Sequence, residues 1–356
     1  MEIVYLAIDL GNTFSEVLSV NEECEPTYAD RIRTLDERAW RELLGLYEGC
    51  EIHAAFEVGT NYGWLYDLLK QYCVEVVVID TATFAAQTKS HKKTDRIDVA
   101  KIATGLWRGD LPGITVPDQR VRDDRRLVAH LHKISSGIGR VKTQIRTILF
   151  RGRLVCPYSS IAGAAAQKWM RSEALGKLGE QEQIFLNQLL EQLELLLKQR
   201  AALQARAAIQ VAAYAEAEIA QSIPGFGQLV TLAILSAIID IARFDTPDQL
   251  SAYLGVCGEV EQSGDYLRLG PITRHGNKHV RWLLGQAVTH LIMKDPKAKK
   301  RYMKLRRKKK AKVARVALMR WIVTVLWRML KNKEKYRLNG LKGNHLMRKA
   351  AKRKAA

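Results

Sequence analysis

Residues 3–13 read IVYLAIDLGNT, an apolar run from Ile3 to Ile8 that stops at Asp9-Leu10-Gly11-Asn12. Such a run closed by turn-forming residues reads as a strand. Residues 16–20 read as its hairpin partner. Two more short β-rich runs follow at 51–56 and 74–79, with a helical segment over 62–72 between them. One strand pair made by a hairpin and later strands arriving through helices predict a mixed α/β sheet.

The rest of the chain has to be read against its charge. Its 356 residues, 47% of them hydrophobic, suffice for more than one core and exclude disorder as the whole answer. Fifty-seven Lys and Arg against 37 Asp and Glu give a net charge of +20. From Lys294 onward there are 25 basic residues and two acidic ones, so the preceding 293 residues sit at −3. A near-neutral body with a cationic end fits a machine that holds a nucleic acid through an appended arm, each phosphate contact releasing counterions. Cys24, Cys50, Cys73, Cys156 and Cys257 are too scattered for a disulfide framework or a zinc site. A reducing cytoplasm is the expectation, with association to the nucleoid of a bacterium or archaeon. No apolar stretch reaches the roughly 20 residues that cross a bilayer, so a soluble protein and no membrane partner are expected.

Beyond Gly113 the strand signals stop. Residues 120–151 form a basic helical stretch, and 172–220 carry leucines at heptad-like spacing: Leu186, Leu189, Leu193, Leu196 and Leu203. Either a helix packed on its own domain or an intermolecular or antiparallel coiled coil satisfies that spacing. Ile223-Pro-Gly-Phe-Gly227 punctuates the chain, and 223–293 reads as a mostly helical unit with one Gly-rich loop from Gly255 to Gly276. Residues 311–330 are amphipathic in pattern, inside a very basic tail.

Four carboxylates stand where such a sheet would bring them together. Asp9 closes the first strand and Glu57 the run at 51–56, while Asp95 and Asp98, in Lys93-Thr-Asp-Arg-Ile-Asp98, open a helix on one face. Taken singly, each has a bland reading as a turn former, a surface charge or a helix-start acid. Taken together they repel unless divalent cations neutralise them, and an oxygen-only set selects Mg²⁺ or Mn²⁺. Two such ions can clamp the attacking and leaving oxygens of a phosphodiester. The loop DLGNT has a rival reading as an ATP-phosphate cradle of actin-like kinases. Those proteins need a second such loop and a Gly-Gly adenosine motif, which this chain does not carry.

Asp9, Glu57, KTDRID at 93–98, IPGFG at 223–227 and the segment RFDTPDQLSAYLGVCGEVEQSGDYLRLGPITRHGNKHVRWLL from Arg243 resemble, in order and spacing, the DEDD transposases of bacterial insertion sequences. That group also contains Piv-type DNA invertases and bridge-RNA-guided recombinases. The turn after Glu57, Val-Gly-Thr-Asn-Tyr, departs from the more usual Ala-Thr-Gly-x-Tyr.

The resemblance implies an α/β ribonuclease-H-like (RuvC-like) domain over 1–118, a helical coiled-coil segment used in dimerisation over 119–221, a mainly helical transposase domain over 222–296 and a basic helical tail over 297–356. It implies that Asp9, Glu57, Asp95 and Asp98 hold the metal and that Ser263, in Gln262-Ser263-Gly264, attacks DNA. Candidate phosphate contacts are Arg268, Arg274, His275, Lys278 and Arg281 around the serine, and Arg306, Arg307, Lys308 and Lys309 in the tail. The glycines of IPGFG, Gly225 and Gly227, resemble those of a helix-hairpin-helix that holds a phosphate on backbone N–H groups. The expected partners are double-stranded DNA, a structured guide RNA and further copies of the chain, as a dimer and an active tetramer. Two other functions remain open: a RuvC-like nuclease or junction resolvase that uses water, and a non-catalytic nucleic-acid-binding scaffold.

Overall fold

The computed structural model describes residues 2–337 apart from 61, 88–94, 264–265 and 274–275, and the chain divides at Gln119/Arg120 into two compact units.

The first unit is a five-stranded sheet. Its elements run β1 (Ile3–Asp9), β2 (Phe14–Val20), β3 (Pro26–Arg33), α1 (Glu37–Gly45), β4 (Glu51–Glu57), α2 (Tyr62–Leu69), β5 (Glu75–Ile79), α3 (Thr81–Gln87) and α4 (Asp95–Arg108). The strand order is β3-β2-β1-β4-β5, antiparallel on the β3–β2–β1 side and parallel from β1 through β4 to β5. The expected mixed α/β sheet is therefore present, with one strand more than the sequence reading contained.

Alternation along each strand sorts the side chains onto two faces. Leu6, Ile8, Ala54 and Phe56 face one cluster, in which the fully buried Trp40 of α1 and Leu65, Leu68 and Leu69 of α2 are packed. Ala7, Ala55 and Ile79 face the other cluster, completed by Val99, Ile102, Ala103 and Leu106 of α4. Asp36 fixes the start of α1 by accepting from the backbone N–H of Ala39, and the Trp40 indole donates to the Thr34 carbonyl at 3.1 Å.

The second unit is mostly helical: α5 (Gln119–Arg151), α6 (Ala164–Trp169), α7 (Glu180–Val211), α8 (Ala217–Gln221), α9 (Gln228–Ile238), α10 (Pro247–Tyr253), α11 (Lys278–Lys294), α12 (Pro296–Arg306) and α13 (Ala311–Asn332). A hairpin of β6 (Gly258–Ser263) and β7 (Tyr266–Ile272) interrupts them. Two cores hold the unit. One joins Ile134 to Leu149 of α5 to Leu186, Leu190 and Leu193 of α7. The other gathers α9, α11 and α13 around Leu232, Leu284, Leu318, Ile322 and Leu326, all fully buried. Each of these leucines contributes roughly 1.5–3 kcal/mol by leaving water.

Several sequence expectations change here. The strand signals do not end at Gly113, because the Gly-rich stretch read as a loop from Gly255 to Gly276 contains the β6–β7 hairpin. The helical run over 172–220 is broken. A π-turn (Met170–Ala174) and a 3-10 turn (Leu175–Lys177) lead into the extended Leu178, and α7 ends at Val211. The leucines of α7 face α5 of the same chain. Tyr214 bonds Asp124, Leu196 lies beside Gly137 and Leu178 beside Gly152, a sequence of pairs that only an antiparallel arrangement allows. The helix expected to be amphipathic over 311–330 is so, with a broad buried face of Ala314, Leu318, Met319, Ile322, Val323, Val325, Leu326, Met329 and Leu330 and with Arg320 and Arg328 exposed opposite it.

Candidate nucleic-acid-cleaving site

Strand register builds the site in the first unit. The last parallel pair between β1 and β4 is Ile8↔Phe56, so Asp9 and Glu57 stand one step further on, side by side at the strand ends. In the antiparallel direction Asp9 pairs with Glu16 of β2, and Glu16 with Arg31 of β3. All four residues lie on the face that carries α4. Asp98 is one turn into α4, the helix packed over Ala7 and Ala55. As a result Asp9, Glu57 and Asp98 line a single cavity of about 300 Å³, together with Gly11, Phe14, Glu16 and Arg31.

This assembly brings together three of the four carboxylates expected from the sequence. Asp95 is the first residue of α4, and its side chain lies outside the described residues. The register adds a carboxylate that the sequence reading passed over, Glu16. Its only sequence signal was its place at the start of the second strand.

Two cations offset the crowded negative charge. Lys101 donates to Asp98 at 2.8 Å, and the Arg31 guanidinium lies 3.2 Å from Glu16. The turn that carries Asp9 is fixed by sterics: a Cβ on Gly11 would stand 2.0 Å from the Phe14 carbonyl oxygen, so only glycine fits. Thr34 tightens the same turn, its hydroxyl donating to the Gly11 carbonyl at 2.9 Å.

Carboxylate oxygens without nitrogen or sulfur are the donor chemistry of Mg²⁺ and Mn²⁺. Asp9 and Glu57 on adjacent strands with Asp98 across the cavity fit such an ion in type. Among the described residues no three His, Cys, Asp or Glu side chains already converge as a ligand set.

In the second unit, Ser263 is the last residue of β6 and pairs in register with Tyr266. The side chains of Ser263 and Arg268, and the whole of Arg274 and His275, fall outside the described residues. What is described is the hairpin's base. Arg281 donates to the carbonyls of Thr273 (2.9 Å) and Gly255 (3.2 Å), so this expected phosphate contact ties together the two ends of the hairpin segment.

Lys278 is exposed at the first turn of α11, which Asn277 caps by accepting from the N–H groups of His279 and Val280. Beside it, His279 and His132 of α5 approach Nδ1 to Nδ1 at 3.0 Å, with Trp282 against the His132 ring. Burial lowers both imidazole pKa values, helped at His132 by the charge of Lys278 and at His279 by His132, Lys278 and Lys133.

The glycine turn joins α8 to α9 as a short helix–turn–helix. Gly225 has φ of +95°, and a Cβ there would meet the Ala287 carbonyl oxygen at 2.5 Å. Its glycine is thus required by contact with α11. Gly227 caps α9. Arg306, Arg307, Lys308 and Lys309 all lie exposed around the C-terminal end of α12.

The strand order, with carboxylates at the ends of neighbouring strands, is that of ribonuclease-H-like domains, here joined to a helical domain with a short hairpin. A family model described as a transposase, of the IS110 DEDD type, matches residues 6–151, and one described as the transposase IS116/IS110/IS902 family matches residues 217–303. Both models describe insertion-sequence transposases, and these two stretches of the chain are similar to that family. DEDD domains of this kind use divalent metal ions.

The transposase for insertion sequence element IS1111A of Coxiella burnetii is 25% identical over 352 residues, covering 94% of this chain and 92% of its own length. A Sinorhizobium fredii protein, y4qE, named as a transposase, is 23% identical over 69% of this chain. A Pseudomonas aeruginosa protein named as a family 20 transposase is 25% identical over 60% of it. The chain spans 60% and 66% of the lengths of these last two relatives. Among the described residues no helix is long and apolar enough to cross a membrane.

Proposed function

We propose that the chain is the transposase and recombinase of its own insertion sequence, cutting and exchanging DNA strands through a covalent serine–DNA intermediate. The observation that carries the catalytic reading is the single cavity lined by Asp9, Glu57 and Asp98. With Asp95 completing the set, these carboxylates would hold Mg²⁺ or Mn²⁺, which when bound lowers the pKa of a coordinated hydroxyl and polarises a phosphodiester.

The Ser263 oxygen attacks phosphorus. One P–O bond of the strand breaks, the leaving sugar oxygen takes the proton that the serine hydroxyl loses, and a Ser–O–P bond keeps the strand end attached. A free hydroxyl of the partner strand then displaces the serine and restores its proton. Exposed Arg306, Arg307, Lys308 and Lys309 supply sequence-independent phosphate contacts. Target choice by a structured guide RNA belongs to this proposal through the family resemblance.

Two duplexes need four strand cuts, so one serine per chain calls for four chains, reached through a dimer. The heptad leucines are largely spent on α5 of the same chain. Exposed Ile184, Phe185, Leu195 and Ile209 on α7 are apolar residues available to a second copy.

Incubation with the element's terminal DNA and Mg²⁺ is expected to trap a protein–DNA adduct that survives denaturing gels and disappears in Ser263→Ala. Cleavage persisting without an adduct in Ser263→Ala would transfer the reaction to water, and absence of cleavage by the intact chain would leave a binding scaffold. Mixing Asp9→Asn with Ser263→Ala protein is expected to restore partial activity if sites are shared between chains.

A further inference from the structure

The cavity's rim holds an aromatic residue that the carboxylate chemistry does not use. Phe14, the first residue of β2, is 36% exposed. Its register partner is Arg33, and Arg31 lies diagonally across from it. Both guanidinium groups are held over the ring, at 4.5 Å for Arg31 and 5.8 Å for Arg33 from its centroid. Phe14 and Arg31 line the same cavity as Asp9, Glu57 and Asp98.

A half-exposed phenyl ring at a strand end gains nothing from water. Gly11 approaches the Phe14 carbonyl too closely for any side chain, and the ring lines the cavity. Aromatic faces beside cations are the combination that holds unpaired nucleic acid, since each base has a π-face to stack and each nucleotide a phosphate to neutralise.

From this geometry we infer that Phe14, Arg31 and Arg33 form a strand platform: a nucleobase next to the scissile phosphate of the DNA being cut stacks on Phe14, while the two arginines take the flanking phosphates. The inference rests on reading the cavity as the DNA-cutting site and names how the strand is positioned there. Arg31 is poised for exchange. Its present partner Glu16 leaves it 61% exposed, so an incoming phosphate can share or replace that carboxylate. Stacking requires an unpaired base, which selects a locally opened strand over an intact duplex. It reads no sequence, which suits an enzyme whose target is chosen elsewhere.

The test uses the full chain, EDTA to prevent cleavage, and high salt to weaken contacts made by phosphates alone. A single-stranded DNA oligonucleotide carries 2-aminopurine, whose fluorescence falls on stacking. Phe14→Leu, which keeps apolar bulk without an aromatic face, is expected to weaken binding roughly five- to a hundredfold and to abolish the quenching. Phe14→Trp is expected to retain both. Arg31→Met and Arg33→Met are each expected to lower the slope of log affinity against log salt by about 0.7.

Native affinity and quenching in Phe14→Leu, at an unchanged melting temperature, would overturn the platform; so would a dependence on Phe14 seen with RNA oligonucleotides but absent with DNA. The two readings fail separately. Full cleavage by Asp9→Asn with lost stacking in Phe14→Leu would remove the catalytic reading and keep the platform, and the reverse pattern would do the opposite.

Discussion

The two units position their chemistry in different ways. In the first, Arg31, Glu16, Asp9 and Glu57 are consecutive across a hydrogen-bonded sheet, so the backbone ladder itself sets the distances between charges. In the second, Ser263 ends a strand of a two-stranded hairpin that is anchored at its base by Arg281. A five-stranded sheet packed by helices on both faces resists displacement, whereas an isolated hairpin is marginally stable. The comparison teaches that carboxylates kept close despite their repulsion benefit from a frame of paired strands packed on both faces, whereas the hairpin of the second unit depends on the hydrogen bonds at its base.

The strongest way to break this comparison is to neutralise the rigid site. Asp9→Asn or Glu57→Gln is expected to lower strand cleavage by about a thousandfold or more, the several kcal/mol that metal assistance supplies. Thermal melting of both proteins should match the native chain. Glu16→Gln should lose less than about tenfold, because its carboxylate is already matched by Arg31. A Glu16 effect as large as that of Asp9 in the same gel assay would make Glu16 a member of the metal set.

The next effect concerns the frame of the second unit. Gly225→Ala places a Cβ 2.5 Å from the Ala287 carbonyl oxygen at a φ of +95°. A destabilisation of about 2–4 kcal/mol is expected for the unit that begins at Arg120. Denaturant unfolding followed by hydrogen exchange should show residues 3–79 protected as in the native chain, since the sheet does not depend on that turn.

Arg281→Met sharpens the contrast between the sheet of the first unit and the hairpin of the second. Removing two hydrogen bonds from a charged donor to backbone carbonyls is expected to cost about 1–3 kcal/mol, felt first in the hairpin. Amide exchange over 258–272 should accelerate while α9 and α13 keep their protection. Uniform acceleration across the second unit would mean that the hairpin is part of the core.

The smallest effect is a pH dependence confined to the second unit. The folded state lowers the pKa of His132 and His279 below the ordinary 6.5, so at mildly acidic pH the unfolded chain binds more protons than the folded one. Stability present above 6.5 should therefore decline as pH falls below that value. His132→Phe should flatten the decline in melting curves of the second unit between about pH 7 and 5.

Much of the first unit was legible because its central strands are apolar runs and its acids close them. Strand β3 escaped because it is an edge: six of its eight residues are exposed, and Asp30, Arg31 and Arg33 give it no alternation to read. Strand β6 escaped for a related reason, since GEVEQS carries one aliphatic side chain and so no alternation to read. The heptad leucines marked a buried stripe, yet spacing alone does not say whether its partner lies in the same chain; α5, read only as basic, conceals that partner in Ile134, Ile138, Val141 and Ile145. The acids Asp9 and Glu57 announced themselves by ending strands. Glu16 joins them only through pairing register, which no local pattern displays.

The antiparallel pairing of α5 and α7 has a consequence for how such a chain can change length. Thirty-three helical residues reach about 50 Å, close to fifteen base pairs of duplex. Because Gly137 meets Leu196 while Gly152 meets Leu178, a residue added to one helix slides every later contact out of phase unless its partner lengthens too. The arm therefore behaves as a ruler whose two edges must be recut together, and relatives with longer or shorter arms are expected to differ by matched insertions of about seven residues, two turns at a time, in both helices.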